Sequence, residues 1–176
     1  MSKTGKKIWN VISTILVVIV VALAVALVGV RIVGLQTYTV LSGSMEPTYH
    51  TGSLIYVKKV DYKDLKAGDP ITFMLNEDTI ATHRIVEVIP DPEEPETIRY
   101  RTKGDANDSV DGGTVHYKNI IGMPIFTIPY LGYVANFIQK PPGLYVAIAF
   151  GVILLLLVFL PDIIGKSDKK KETKKE

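Results

Sequence analysis

Ile80-Ala81-Thr82-His83-Arg84-Ile85-Val86-Glu87-Val88-Ile89 is the stretch on which the fold turns. Its β-branched residues read as a strand, and a titratable His83 inside such a run is unusual unless its side chain points into a cleft or into water. Runs of the same kind stand on both sides: Thr37 to Leu41, Leu54 to Lys58 and Ile71 to Leu75 before it, Thr97 to Thr102 after it. Turn clusters, His50-Thr51-Gly52-Ser53 and Lys66-Ala67-Gly68-Asp69-Pro70, separate several of them. Pro90 to Glu96, with three prolines and four acidic residues, reads as a solvated loop whose ends are joined as a hairpin. No internal repeat is present, and the pattern predicts an antiparallel all-β core.

Farther out, the composition changes. The chain has 176 residues, 47% of them hydrophobic, more than a small water-soluble domain sustains. Two blocks carry the excess: Ile8 to Val30, 23 residues without a charge, and Gly143 to Leu160, 18 residues without one. As helices they reach about 34 Å and about 27 Å, against a hydrocarbon layer of about 30 Å. The first is too long for the apolar region of a cleaved signal peptide, the rival reading raised by Ala22, Ala24 and Ala26. The second lies between Pro141-Pro142 and Pro161, and it either spans a thin region or is completed by Ile163 and Ile164.

Lysines flank the outer ends: Lys3, Lys6 and Lys7 before the first block, and Lys166, Lys169, Lys170, Lys171, Lys174 and Lys175 after the second. The positive-inside rule then predicts a two-pass topology with residues 31–142 on the extracytoplasmic or lumenal side. Residues 1–7 form a cytoplasmic N-terminus, 8–30 and 143–164 the transmembrane helices, and 165–176 a basic, disordered cytoplasmic tail. Residues 32–142 carry 10 Lys and Arg against 14 Asp and Glu, so they offer no basic stripe for nucleic acid. Ile120 to Ile138 is apolar but interrupted by Pro124, Pro129 and Gly132. It reads either as the last core strands or as a segment at the bilayer boundary, where tyrosines favour the headgroup level.

Cysteine is absent, which removes disulfides, thiol nucleophiles and cysteine-ligated metals. The chemistry must lie elsewhere. Ser42-Gly43-Ser44-Met45-Glu46-Pro47-Thr48, at the end of the first predicted strand, leaves hydroxyls and amides accessible. A serine needs a base within hydrogen-bond reach, itself held by a third group. Of the three histidines, His50 and His116 stand at turns and are expected to be exposed, which leaves His83. Thr102-Lys103-Gly104-Asp105-Ala106-Asn107-Asp108-Ser109-Val110-Asp111 supplies three carboxylates. A calcium loop is not their pattern, since the sixth-position glycine and closing glutamate are missing.

The boxes Ser42 to Thr48, Gly68-Asp69-Pro70-Ile71-Thr72-Phe73, Thr82-His83-Arg84-Ile85 and Thr102-Lys103-Gly104-Asp105, in that order, resemble those of type I signal peptidases. The likeness is to the branch found in archaea, in the endoplasmic reticulum and in some Gram-positive bacteria, where histidine replaces the general-base lysine. It covers Val40 to Asp111, and Phe126-Thr127-Ile128-Pro129-Tyr130-Leu131-Gly132-Tyr133 resembles a Gram-positive subgroup of that branch. The resemblance implies a mainly β fold, a small antiparallel β-barrel-like catalytic domain flanked by two transmembrane helices. It makes Ser44 the nucleophile, His83 the base and Asp111 the orienting carboxylate. Asp105 is then the aspartate of the Gly-Asp box, structural or supporting, and Ser42 an oxyanion donor. Asp108 remains a further candidate for the carboxylate. One departure stands out: Ala106 occupies a position that is often Asn in this family.

The activity implied is serine endopeptidase cleavage of N-terminal signal peptides, with no metal or organic cofactor. The partners implied are membrane-inserted preproteins, the lipid bilayer and accessory subunits. Only 13 residues separate Arg31 from Ser44, at most about 45 Å of chain, so the nucleophile is expected near the bilayer surface. A Ser-Lys mechanism through Lys103 would require burial to lower the lysine's pKa, while Arg84 cannot deprotonate. Two other functions compete: a non-catalytic two-pass scaffold whose β domain binds a partner, and a peptidase dedicated to one or few substrates.

Overall fold

A computed structural model describes residues 3–91 and 97–172, with side chains described for residues 4–91 and 97–158. Of the described residues, 3–28 and 137–172 fall in one compact unit and Gly29–Asn136 in the other. In the first unit, α1 (Lys3–Leu27) is long and apolar enough to cross a bilayer. A second helix pair, α2 (Leu131–Gln139) and α3 (Gly143–Glu172), is bent at the intervening prolines. α2 and the described apolar part of α3 reach the spanning criterion only when taken together. α3 continues past Gly165, where the charged tail was expected to be disordered, because Lys and Glu are themselves good helix formers.

Seven strands build the second unit: β1 (Leu35–Thr39), β2 (Leu54–Lys58), β3 (Pro70–Met74), β4 (Ile80–Pro90), β5 (Ile98–Lys103), β6 (Thr114–His116) and β7 (Ile120–Ile128). They form one antiparallel sheet in the order β1-β2-β7-β3-β4-β5-β6. The barrel expected from the resemblance closes only halfway. The sheet curls, but among the described residues β1 and β6 each pair with a single neighbour and not with each other. "Mainly β" is likewise corrected: it describes this unit, whereas α1, α2 and α3 make the chain mixed.

All five expected strands form, with ends shifted by two residues at most. The β4–β5 hairpin forms too, with Pro90 opposite Ile98, though most of its loop lies outside the described residues. Asp91 at its start is not solvated as expected: it is 2% exposed and ion-paired to Arg99. Ile120 to Ile138 resolves into strand and then helix. Pro129 falls in the link between β7 and α2, and Gly132 lies inside α2, buried by close packing.

Two apolar clusters hold the sheet. Leu65, Ile71, Phe73, Ile85, Tyr100 and Val115 form one; Met45, Tyr49, Ile55 and Val57 form the other. Met45 and Tyr49 belong to the β1–β2 connection that carries Ser44. Each buried side chain contributes about 1.5–3 kcal/mol, so the serine loop is anchored on the side that follows Ser44.

Candidate active site

Ser44 lies in the connection between β1 and β2, one residue before the buried Met45. His83 is on β4, opposite Ile71, and its ring meets that of Phe73 edge-on with centroids 6.3 Å apart. Asp111 lies in the β5–β6 connection, its amide donating to the Thr102 carbonyl at 2.8 Å. Two connections and a strand, far apart in sequence, thus meet where β4 and β5 run side by side.

The side chains form a continuous chain. His83 Nδ1 stands 2.6 Å from Asp111 Oδ2, and His83 Nε2 stands 3.2 Å from Ser44 Oγ. A carboxylate only accepts, so Nδ1 carries the proton and donates, and Nε2 presents its lone pair to the serine hydroxyl. Asp111 Oδ2 also accepts from Thr102 Oγ1 at 2.6 Å. Ile85 and Thr102 are paired in register, which places Thr102 on the face of the sheet that His83 shares. The His83 and Asp111 side chains are 16% and 26% exposed, shielded yet open on one side.

Ser42 Oγ lies 3.2 Å from Ser44 Oγ. If Ser44 donates to His83, Ser42 donates to Ser44. Among the described residues, Asp105 makes no hydrogen bond to His83. It takes two hydrogen bonds from Arg84, Nε to Oδ1 at 2.8 Å and Nη2 to Oδ2 at 2.6 Å, and one from Thr48 Oγ1 at 2.5 Å. The Arg84 hydrogen bonds first, then that of Thr48, hold its carboxyl below the usual range against the opposing effect of burial. The same pair raises the Arg84 pKa further. Arg84 Nη1 donates to the Gly68 carbonyl at 2.7 Å, so this guanidinium ties the β2–β3 connection to the Gly-Asp box.

The Ala106 departure costs no contact at this point, because its backbone N–H donates to the Ser44 carbonyl at 2.9 Å. A side chain at Gly104 would stand 2.5 Å from that same carbonyl oxygen, so only glycine lets the two connections meet this closely. Asp108 is exposed and makes no bond to His83 among the described residues. Lys103 alternates to the face opposite Thr102 and makes no hydrogen bond to Ser44 among the described residues.

His50 is exposed as expected and pairs with Glu46 at 2.5 Å. The Thr51 N–H first, and then His50, lower the Glu46 pKa. His116 is a correction: its side chain is 19% exposed, with Nε2 3.5 Å from the buried Asp91 and Nδ1 accepting from Lys118 N at 3.2 Å. Thr102, Thr48 and the structural part of Arg84 went unread in the sequence. Strand alternation with the buried Tyr100 was the one signal for Thr102. No group of His, Asp and Glu spaced for a metal ion occurs among the described residues.

Residues 9–124, which include all these side chains, match the family model described as "Signal peptidase, peptidase S26". The chain is 37% identical over 123 residues to signal peptidase I W of Bacillus subtilis, covering 65% of this chain and 63% of that protein. It is 30% identical over 111 residues to the signal peptidase complex catalytic subunit SEC11C of Homo sapiens, covering 58% and 57%. SEC11 of Fusarium vanettenii is 29% identical over 128 residues, covering 68% and 72%. The chain thus spans less than two thirds of the length of the first two. With a match over well more than half of its residues, the chain belongs to the S26 family of signal peptidases.

Proposed function

We propose that this chain is a membrane-bound serine endopeptidase that removes N-terminal signal peptides from preproteins at the outer membrane surface through an acyl-enzyme. The observation that carries the reading is the hydrogen-bonded chain from Ser44 through His83 to Asp111. Neutral His83 takes the Ser44 proton through Nε2 as the hydroxyl attacks the scissile carbonyl, and Asp111 stabilises the imidazolium. The Ser44 amide and the Ser42 hydroxyl receive the developing oxyanion, Ser42 being already within 3.2 Å of the nucleophile. His83 returns the proton to the leaving amine, and water then hydrolyses the acyl-enzyme by the same path.

The lysines outside the two apolar segments support a topology in which those ends face the cytoplasm and residues 31–142 lie on the far side. A membrane-inserted presequence displays its cleavage site near that surface, which makes it the substrate class. The relative named as a complex subunit makes accessory subunits a partner class here as well.

Cleavage of a presequence substrate by the purified protein beside its Ser44→Ala and His83→Ala forms tests this. Either change is expected to lower turnover by about 10³-fold or more, with abundance and folding unchanged. Retained cleavage in Ser44→Ala would overturn Ser44 as the nucleophile, and a wild type that cleaves nothing would leave the scaffold reading.

A further inference from the structure

The connection that carries Ser44 is tied at its base and then covered. Val40 N donates to the Ser53 carbonyl and Gly52 N to the Val40 carbonyl, both at 2.9 Å, so residues 40–53 form a loop with a closed neck. The first turn of α2 sits on that neck. A Cβ at Gly52 would lie 2.0 Å from Tyr133 Cε2, so the ring rests directly on the glycine backbone. A Cβ at Gly132 would lie 2.4 Å from the Ser53 carbonyl oxygen, so here backbone packs against backbone. Thr39 Oγ1, at the end of β1, donates to the Gly132 carbonyl at 3.3 Å and fixes the turn from the other side. Tyr133 is 56% exposed: one face of its ring covers Gly52 while the rest is open.

We propose that Tyr133 is a positioning residue for the nucleophile, its ring keeping the neck of the Ser44 loop closed so that the serine hydroxyl stays within reach of His83. The proposal rests on the reading of Ser44 as nucleophile. His83 is held independently on β4, so an open neck moves Ser44 and leaves the base where it is. A displacement of about 1 Å between reacting groups costs about 10²-fold in rate, and turnover scales with the fraction of molecules whose neck is closed. The ring shields the two neck hydrogen bonds from water, which otherwise competes for them. The segment after the last strand therefore helps to align the site, in addition to leading into α3.

The test uses the full chain in detergent micelles and again in phosphatidylcholine vesicles, comparing wild type with Tyr133→Ala, Tyr133→Phe, Thr39→Val and Val134→Ala. Amide exchange at Val40 and Gly52 is read beside kcat and KM for presequence cleavage. Tyr133→Ala is expected to raise exchange at both amides and lower kcat by about tenfold, with KM unchanged, in both media. Tyr133→Phe restores wild-type behaviour, Thr39→Val shifts both readouts in the same direction by less, and Val134→Ala changes neither. Unchanged exchange and kcat in Tyr133→Ala, with an active wild type, overturn the positioning role alone. A loss confined to vesicles overturns it too, making the ring a lipid contact. A wild type that never cleaves the presequence overturns the peptidase reading, and positioning with it, whatever the exchange shows.

Discussion

The two ends of β5 each carry a histidine beside an aspartate, and only one end brings a hydroxyl to the histidine. At the Lys103 end, Asp111 receives His83 Nδ1 and Thr102 Oγ1, and the far ring nitrogen of His83 faces a serine hydroxyl. At the Ile98 end, Asp91 is held by Arg99 Nε at 2.7 Å, and His116 approaches it at 3.5 Å. There the other ring nitrogen of His116 caps the backbone at Lys118. The residue types are the same; the neighbours differ. A guanidinium already neutralises Asp91, and His116 spends both nitrogens on structure. Asp111 meets no Lys or Arg among the described residues, so it is left to compensate an imidazolium. A His-Asp pair becomes a candidate base when its carboxylate is not otherwise neutralised and its second nitrogen is free to face a hydroxyl.

The comparison breaks most directly at the two aspartates. Asp111→Asn is expected to lower kcat by about 10²–10⁴ while the fold persists. Asp91→Asn should leave kcat within about twofold and lower Tm. Steady-state cleavage and thermal unfolding of the two variants side by side check it, and a reversed ranking would assign the chemistry to the wrong end of β5.

A third carboxylate sharpens the contrast. Asp105 is paired with Arg84 as Asp91 is with Arg99, and its depressed pKa contributes stability that is fully present above the ordinary carboxylate range. That contribution is lost as pH falls through the depressed value. Arg84→Ala should therefore cost about 2–4 kcal/mol near neutral pH, and the difference from wild type should shrink at a second, acidic pH below the depressed value. Thermal unfolding at the two pH values checks this, and an equal deficit at both would locate the stabilisation elsewhere. The smallest effect belongs to His116→Ala: about 1 kcal/mol of stability from the lost backbone cap, with kcat unchanged, measured by Tm and initial rates.

Much of this was open to reading in the primary sequence, and the gaps have physical causes. β2 ends where its β-branched run ends, and β1, β3, β4 and β5 differ from expectation by two residues at most, since their apolar runs set them. β6 spans three residues, too few for any periodicity to register. α2 was hidden by its glycine, which suggests a break in sequence but lets helix and loop meet closely in space. Barrel closure depends on pairing between β1 and β6, which no local pattern reports. Within the site, His83 stood out because the chain has only three histidines and the other two stand at turns, whereas Ser44 and Asp111 were singled out by the family resemblance, the residues alone leaving three carboxylates open. Thr102, Thr48 and the Asp91–Arg99 pair were not, because their partners lie across strands. His116 was misjudged for the same reason, its aspartate lying 25 positions upstream.

The sheet order carries a last consequence, for biosynthesis. β7 lies between β2 and β3, so the hairpin bearing the serine and the strands bearing the histidine are bridged by the final strand to leave the ribosome. A nascent chain that has not yet delivered residue 120 holds both reactive groups but lacks the strand that joins their halves. On the proposed function, competence is thereby deferred until synthesis of the domain is nearly finished, which spares the unfinished chain from premature cutting.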